Sequence, residues 1–533
     1  MAGAVSAGAY TAGMLDFLIE ALDAWYAAKQ NGEAVPMHDV SIEVFSGASA
    51  GGMCAAIASV MVQGEFEHIH DTSRRGTTNR FYESWVNKID ISHLLQTDDL
   101  QAHGRALSLL DCSIIDEIAE YAIKAGTPKK RDYISPNLTL FLTLTNLTGI
   151  PYALENLGAS ESTLYHADRL RFEIVQPGAQ PRGRLAKPLP LGSPNEPAWD
   201  LLVEAAKATG AFPIFLRPRM FRRNLADYDR PLWQSINVDP RDLNVPPNWP
   251  KPMPDLQTIN VDGGVIDNDP FNLAHDYLAA ILPPSEANLN PRKPLEANRA
   301  VLTVAPFPAH SVFEPATDLS KQASVGNSLW RLIGVFITQS RFFGESLALI
   351  ADGTYSRFMI VPSDPDLAGL PPLQGASLGA FGGFFDRSFR AHDYQLGRRN
   401  CQQFLRHHFV LPRQNPIINE GISKLGGRAE ETFDKFKVRH PPEGTGATDW
   451  IPLIPLCSET VSIDVERPDR GRINRDTLDY IIKLIYRRVN ALLPVLIQDL
   501  QSPAQRILVE TGARIIEALD REKLKDYLNS QLT

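Results

Sequence analysis

The stretch Ser46-Gly47-Ala48-Ser49-Ala50-Gly51-Gly52 follows the apolar run Val40-Ser41-Ile42-Glu43-Val44-Phe45 and precedes the small-residue run Met53-Cys54-Ala55-Ala56-Ile57-Ala58. In order, these read as a strand, a sharp turn and a helix, with G-x-S-x-G at the turn. A serine at the tip of such a turn sits in a strained backbone conformation. Gly47 and Gly51 suit the turn because a Cβ there would clash with the neighbouring element. The hydroxyl is thereby exposed at the positive end of the following helix. A bare G-x-S-x-G also fits a glycine-rich turn with an incidental serine, but a strand before it and a helix after it favour Ser49 as a nucleophile.

With 533 residues the chain has room for one large elaborated domain or two to three smaller ones of about 100–200 residues each. Acidic residues outnumber basic ones 62 to 53, for a net charge of −9. There is no broad basic field, so nucleic acid is not an expected partner. Cys54, Cys112, Cys401 and Cys457 are scattered without metal-type spacing and read as free thiols in a reducing compartment. No basic segment precedes an apolar one at the start, and no apolar run approaches the ~18 residues of a membrane span. The expectation is a soluble, cytoplasmic protein able to touch a membrane surface transiently, with no metal and no cofactor.

Met1 to Tyr10 is a loop of small residues running into a helix on which Met14, Leu15, Leu18, Leu22 and Trp25 recur at helical spacing. Such a loop leaves backbone N–H groups unpaired and aimed at one point, where they can hold a developing oxyanion. Residues 65–135 read as a helical insertion over one side of the site. Leu138 to Thr145 reads as a buried strand, and the proline-rich segments 176–200 and 229–256 read as loops. Strands are expected at Ala300–Ala305 and Phe358–Val361, with a helical stretch near Leu329–Ile350 between them. Phe381 to Asp386 precedes a polar helix carrying Arg398 and Arg399. Two C-terminal amphipathic helices complete the chain, one through Leu478, Ile481, Ile482, Ile485, Val489 and Leu492, the other through Ile507, Ile515, Ile516 and Leu519.

Together, the small-residue loop, the Ser49 turn about forty residues later and the distant Ile259-Asn260-Val261-Asp262-Gly263-Gly264-Val265 resemble the patatin-like phospholipase family. That family has a glycine-rich oxyanion loop, then G-x-S-x-G, then an Asp-Gly that supplies the second catalytic residue. The family's loop reads G-G-G-x-Arg/Lys-G; here the matching positions are Gly3, Ala4, Val5, Ser6, Ala7 and Gly8, so only the outer glycines match. The family also has a strand ahead of this loop. The expectation here is either a start upstream of Met1 or a sheet made without that strand.

A serine hydroxyl needs a base. Asp262 follows an apolar run, and Gly263 and Gly264 behind it let the backbone turn and bring its carboxylate towards Ser49; alone, Asp-Gly also fits an ordinary turn. Burial in an apolar pocket raises a carboxyl pKa from its usual ~3.9 towards the working range. His275 follows Asp262 too closely to come from an independent element, and His392, His407 and His408 read as surface residues. The resemblance implies acyl transfer to Ser49 with Asp262 as base and oxyanion donors at Gly3, Ala4 and Ala50, on a phospholipid or other lipid ester. Two alternatives stay open: a catalytically silent lipid-binding or interaction protein on the same scaffold, and an esterase with a Ser-His-Asp triad. The expected fold is a three-layer α/β/α sandwich with a mostly parallel central sheet. A catalytic domain over 1–411, an irregular connection over 412–475 and a C-terminal helical region over 476–533 complete the expectation.

Overall fold

The computed structural model describes residues 1–124, 128–156, 159–176, 180–182, 185–193, 196–228, 247–249, 255–281, 290–307, 354–367, 370–438, 449–499 and 521–532. Its centre is a long strand, β2 (Ile134–Asn156), which pairs with three others: β1 (Ile42–Gly47), β3 (Ala159–Val175) and β6 (Asp255–Asp262). The strands β4 (Lys187–Pro190) and β5 (Arg219–Asn224) complete a six-stranded sheet, β4 beside β3 and β5 beside β6.

The run Leu138-Thr-Leu-Phe-Leu-Thr-Leu-Thr145 within β2 explains the layers, because successive side chains of a strand point to opposite faces. Leu138, Leu140, Leu142 and Leu144 enter the main core with helices α1 (Gly8–Gln30), α2 (Ser49–Met61), α4 (Pro197–Thr209) and α6 (Arg387–His407). On the opposite face Phe141 packs on Leu273 and Tyr277 of α5 (Phe271–Ala280), and Thr139 Oγ1 donates to Tyr277 Oη at 3.0 Å. Helices on both faces of a sheet make the α/β/α architecture.

The sheet is mixed rather than mostly parallel. β1 runs parallel to β2 and β4 parallel to β3, but β2 with β3, β2 with β6 and β5 with β6 are antiparallel. The sequence reading missed β3, in which Leu170, Phe172 and Ile174 alternate with Arg169, Arg171 and Glu173, so it could not see the long hairpin that reverses the chain. The segment read as a loop over 176–200 likewise contains β4 and the start of α4. Strands β7 (Val301–Val304) and β8 (Arg357–Ile360) form a separate parallel pair. A cavity of about 650 Å³ separates β7 from β1, between Leu18 and Leu22 of α1 and Phe271 and Leu278 of α5. Met1 and Ala2 close one end: the Met1 ammonium donates to Ser46 O at 2.9 Å, and Ala2 N donates to Val304 O at 3.0 Å.

The polar helix α6 is not a surface element. It packs along α1, and His392, Asp393, Arg390 and Arg398 are all buried. Polar groups are tolerated inside when they are paired, and here Arg398 bridges Asp16 and Glu20 of α1 while His392 Nδ1 lies 2.9 Å from Asp393 Oδ1. The same pairing buries α1 on most sides, beyond the single face marked by Met14, Leu15, Leu18, Leu22 and Trp25. His407 and His408 are exposed.

Helix α3 (Ser113–Ala122) and the short turns around it form a second core with Phe384, Phe385 and Phe389 and with the C-terminal α7 (Arg475–Asp499) and α8 (Arg521–Leu532). The helical stretch expected at 329–350, the C-terminal helix expected at 507–519 and most of the proline-rich segment 229–256 lie outside the described residues.

Candidate active site

The register of β2 brings the two ends of the site together. β1 runs along one edge of β2 and stops with Gly47 opposite Leu142; β6 arrives along the same edge from the other direction and stops with Asp262 opposite Leu144. The two strand ends therefore abut, and the turns that leave them meet. After β1 comes Ala48 in extended conformation, then Ser49 with φ +52° opening α2. A left-handed serine is a strained position that the surroundings must enforce, at a cost of order 1–3 kcal/mol. They do so by close approach: a Cβ on Gly47 would lie 2.5 Å from Gly51 O, and one on Gly51 would overlap the carbonyl oxygens of Met1 and Ala2.

Ser49 Oγ donates to Asp262 Oδ2 at 2.6 Å. The other carboxylate oxygen accepts from Gly264 N at 2.7 Å, in the turn Gly263–Val265 that Asp262 caps. Asp262 is itself held by its backbone, its amide donating to Ala211 O at 3.0 Å and its carbonyl accepting from Thr145 Oγ1 at 2.9 Å. Ser46 Oγ donates to Pro270 O at 3.0 Å and ties the serine strand to the aspartate turn. Burial is the largest influence on Asp262 and pushes its pKa up to about 7, against the opposing pull of the Ser49 and Gly264 donors. The carboxyl therefore titrates where a general base is useful.

Gly3 lies against the serine, since a Cβ there would be 2.8 Å from Ser49 Cβ. Its amide donates to Asn268 O at 3.2 Å. Ala4 leads into the turn Val5–Ala7, in which Val5 has φ +46°, and Gly8 then opens α1 against the ring of Trp85. Ala50 sits in the first turn of α2, ahead of the first helical bond from Gly52 N to Ala48 O, where amides have no acceptor within the helix.

The sequence reading did not single out Thr209. Its hydroxyl accepts the amide of Ser49 at 3.1 Å, and its side chain packs on Gly52. A threonine near a helix end followed by Gly210 carries no signal of this kind. Ser49 and Ala50 also open onto a narrow apolar cleft between α2 and the helical insertion, walled by Trp85, Ile118 and Phe381. Phe381 and Phe384 thus pack rather than project into solvent.

Among the described residues, no group of three or more His, Cys, Asp or Glu side chains could hold a metal ion. No helix there is long and apolar enough to cross a membrane.

An α/β/α fold with a serine on a strand-to-helix turn, hydrogen-bonded to a buried carboxyl beside an apolar cleft, puts the chain among the α/β acyl hydrolases by class. It belongs to the patatin-like phospholipase family, whose model matches residues 1–275. Over its full length it is also 32% identical to an uncharacterized protein, y4iI, of Sinorhizobium fredii (strain NBRC 101917 / NGR234), of which the alignment covers 80%. Lipid acyl hydrolysis is the chemistry of this family, and lipid esters are its substrates.

Proposed function

We propose that the chain cleaves a fatty acyl ester of a phospholipid or lysophospholipid through a Ser49–Asp262 dyad and an acyl-enzyme intermediate. Asp262 takes the Ser49 proton as Oγ attacks the ester carbonyl carbon, and the C–O bond to the alcohol breaks as the tetrahedral intermediate collapses. The proton held by Asp262 leaves with the alcohol. Water then gives a proton to Asp262, attacks the acyl carbon and releases the fatty acid, and the proton returns to Ser49. The oxyanion is held by the amides of Ala4 and Ala50, joined by Gly3 once its amide turns from Asn268. One such donor is worth about 10²–10³ in rate.

The observation that carries this reading is the 2.6 Å bond from Ser49 Oγ to a carboxylate whose pKa is raised to about 7 by burial. A histidine base is disfavoured, because the Asp262 carboxylate has Ser49 and Gly264 as its hydrogen-bond partners and the Ser49 hydroxyl has Asp262. The same reading assigns catalysis to residues 1–411, connection to 412–475 and a covering role to 476–533, and brings the protein transiently to a membrane surface from the cytoplasm.

The test is labelling by a fluorophosphonate serine probe, with release of fatty acid from mixed phospholipid micelles measured in parallel. Wild type is expected to label and to release acid, while Ser49→Ala and Asp262→Asn, folded by circular dichroism, do neither. A folded wild-type chain that neither labels nor hydrolyses would leave the silent lipid-binding scaffold in its place.

A further inference from the structure

The cleft beside Ser49 has a regular wall. Ser49, Met53 and Ile57 of α2 all line it, at positions i, i+4 and i+8, which fall on one face of a helix. At 1.5 Å rise per residue, Met53 stands about 6 Å and Ile57 about 12 Å beyond the serine along the helix axis. The facing wall repeats the pattern: Ile115, Ile118, Ala119 and Ala122 of α3 are spaced i, i+3, i+4 and i+7.

The lining is almost wholly apolar, as an alkyl chain requires, yet the cleft is narrow, with about 80 Å³ open to the centre of a water-sized group. The wall is about 12 Å long but the room beside it is small, so a side chain able to move aside would open it. Met53 is the candidate: it is half-buried, and a Cβ on Gly210 would be 2.5 Å from its sulfur. An unbranched thioether repacks readily.

We propose that α2 is an acyl-length ruler: Met53 and Ile57 mark off, from Ser49, the fatty acyl chain the cleft accepts, and Met53 swings aside to admit it. Resting on the acyl transfer proposed at Ser49, the inference names the specificity-determining residues of that site. In a zig-zag chain with bonds of about 1.5 Å, each carbon advances about 1.25 Å. Met53 then corresponds to about five carbons and Ile57 to about ten.

The experiment measures fatty-acid binding by calorimetry, from butyrate to hexadecanoate, together with hydrolysis of the matching p-nitrophenyl esters. Wild type should gain about fourfold in affinity per added methylene up to decanoate and then level off. Met53→Trp should move the plateau to about five carbons, lowering the octanoate-to-butyrate affinity ratio at least tenfold. Ile57→Phe should keep octanoate and lose the gain beyond it, and Ile57→Ala should carry the gain past decanoate. Equal gains at every length, or variants that shift all lengths alike, overturn the ruler even if every ester is hydrolysed. A graded cut-off in binding without ester hydrolysis upholds the ruler and overturns the acyl-hydrolase reading.

Discussion

The hydroxyl of Thr209, at the end of α4, accepts the backbone amide of Ser49 at 3.1 Å, so the strained residue of the strand-to-helix turn is held from outside its own element. Thr209 is fully buried, and Ser49 is in a conformation that costs free energy unless its neighbours enforce it. Thr209→Val removes the acceptor while nearly keeping the shape, leaving a buried N–H without a partner. The expected loss is about 1–3 kcal/mol of stability, read by chemical denaturation. Because the serine then samples other orientations, kcat should fall more than KM rises. A variant with wild-type kcat and wild-type stability would show that Ser49 does not depend on this bond.

Asp262 sets two opposite pH dependences. As a general base it must be ionised, so kcat/KM should rise with pH through an apparent pKa near 7. Stability runs the other way. The folded-state pKa of about 7 lies above the ~3.9 of an unfolded aspartate. The folded protein therefore holds the proton more tightly, and this contribution is fully present below about pH 3.9 and lost as pH rises to about 7. Asp262→Asn should abolish activity and at the same time flatten the fall in stability over that window. An unchanged slope of stability against pH in the variant would mean that Asp262 ionises normally in the folded chain.

The parts of the site visible in the sequence are those that constrain backbone. G-x-S-x-G and Asp-Gly-Gly are visible because only a few residue types tolerate the close approaches at Gly47, Gly51 and Gly263. The meeting of β1 and β6 on one edge of β2 was not visible, since it depends on a register that no local pattern encodes. A hydropathy reading treats Arg398 and His392 as surface groups because it sees their polarity and not the partners that neutralise it. β3 is different: Leu170, Phe172 and Ile174 alternate with Arg169, Arg171 and Glu173 at the period of a half-buried strand, so it was legible in the sequence and passed over. The α/β/α class survived these errors because β2 is apolar enough to be covered on both faces, Leu138, Leu140, Leu142 and Leu144 on one and Phe141 on the other.

Gly51 is the most exacting glycine of the turn. Its missing Cβ would fall on the carbonyl oxygens of Met1 and Ala2, which are backbone atoms and cannot rotate away. Gly51→Ala should therefore displace the amino-terminal loop from Ser49 or unfold it locally, at a cost of about 1–3 kcal/mol or more. Thermal unfolding together with hydrogen exchange at Ala2 and Ala48 would read both effects, because the Ala2 amide is bonded to Val304 and the Ala48 amide to Met1. Wild-type protection at both amides in a stable Gly51→Ala would contradict the packing described.

Arg398 joins α6 to α1 by bonding Asp16 and Glu20 together, at 2.7 Å to Glu20 Oε2, with all three side chains buried. Asp16 also accepts from Asn79 Nδ2 at 2.9 Å and from Ile69 N at 3.2 Å, and lies 2.8 Å from His68 Nδ1. Burial alone would raise the Asp16 pKa, but Arg398 and His68 together hold it well below the usual carboxylate range. A depressed folded-state pKa contributes stability above the unfolded value of ~3.9, and the contribution is lost as pH falls towards the folded pKa. Arg398→Met strands two buried carboxylates and should cost about 3–5 kcal/mol near neutral pH. The Asp16→Asn, Glu20→Gln, Arg398→Met triple variant leaves no uncompensated charge and should recover much of that loss, because an ion pair in the interior offsets its own desolvation only narrowly. The comparison of single and triple variants by urea denaturation separates the two effects. If the triple variant is as unstable as Arg398→Met alone, the cluster holds α1 and α6 together by its geometry and not by its charge balance.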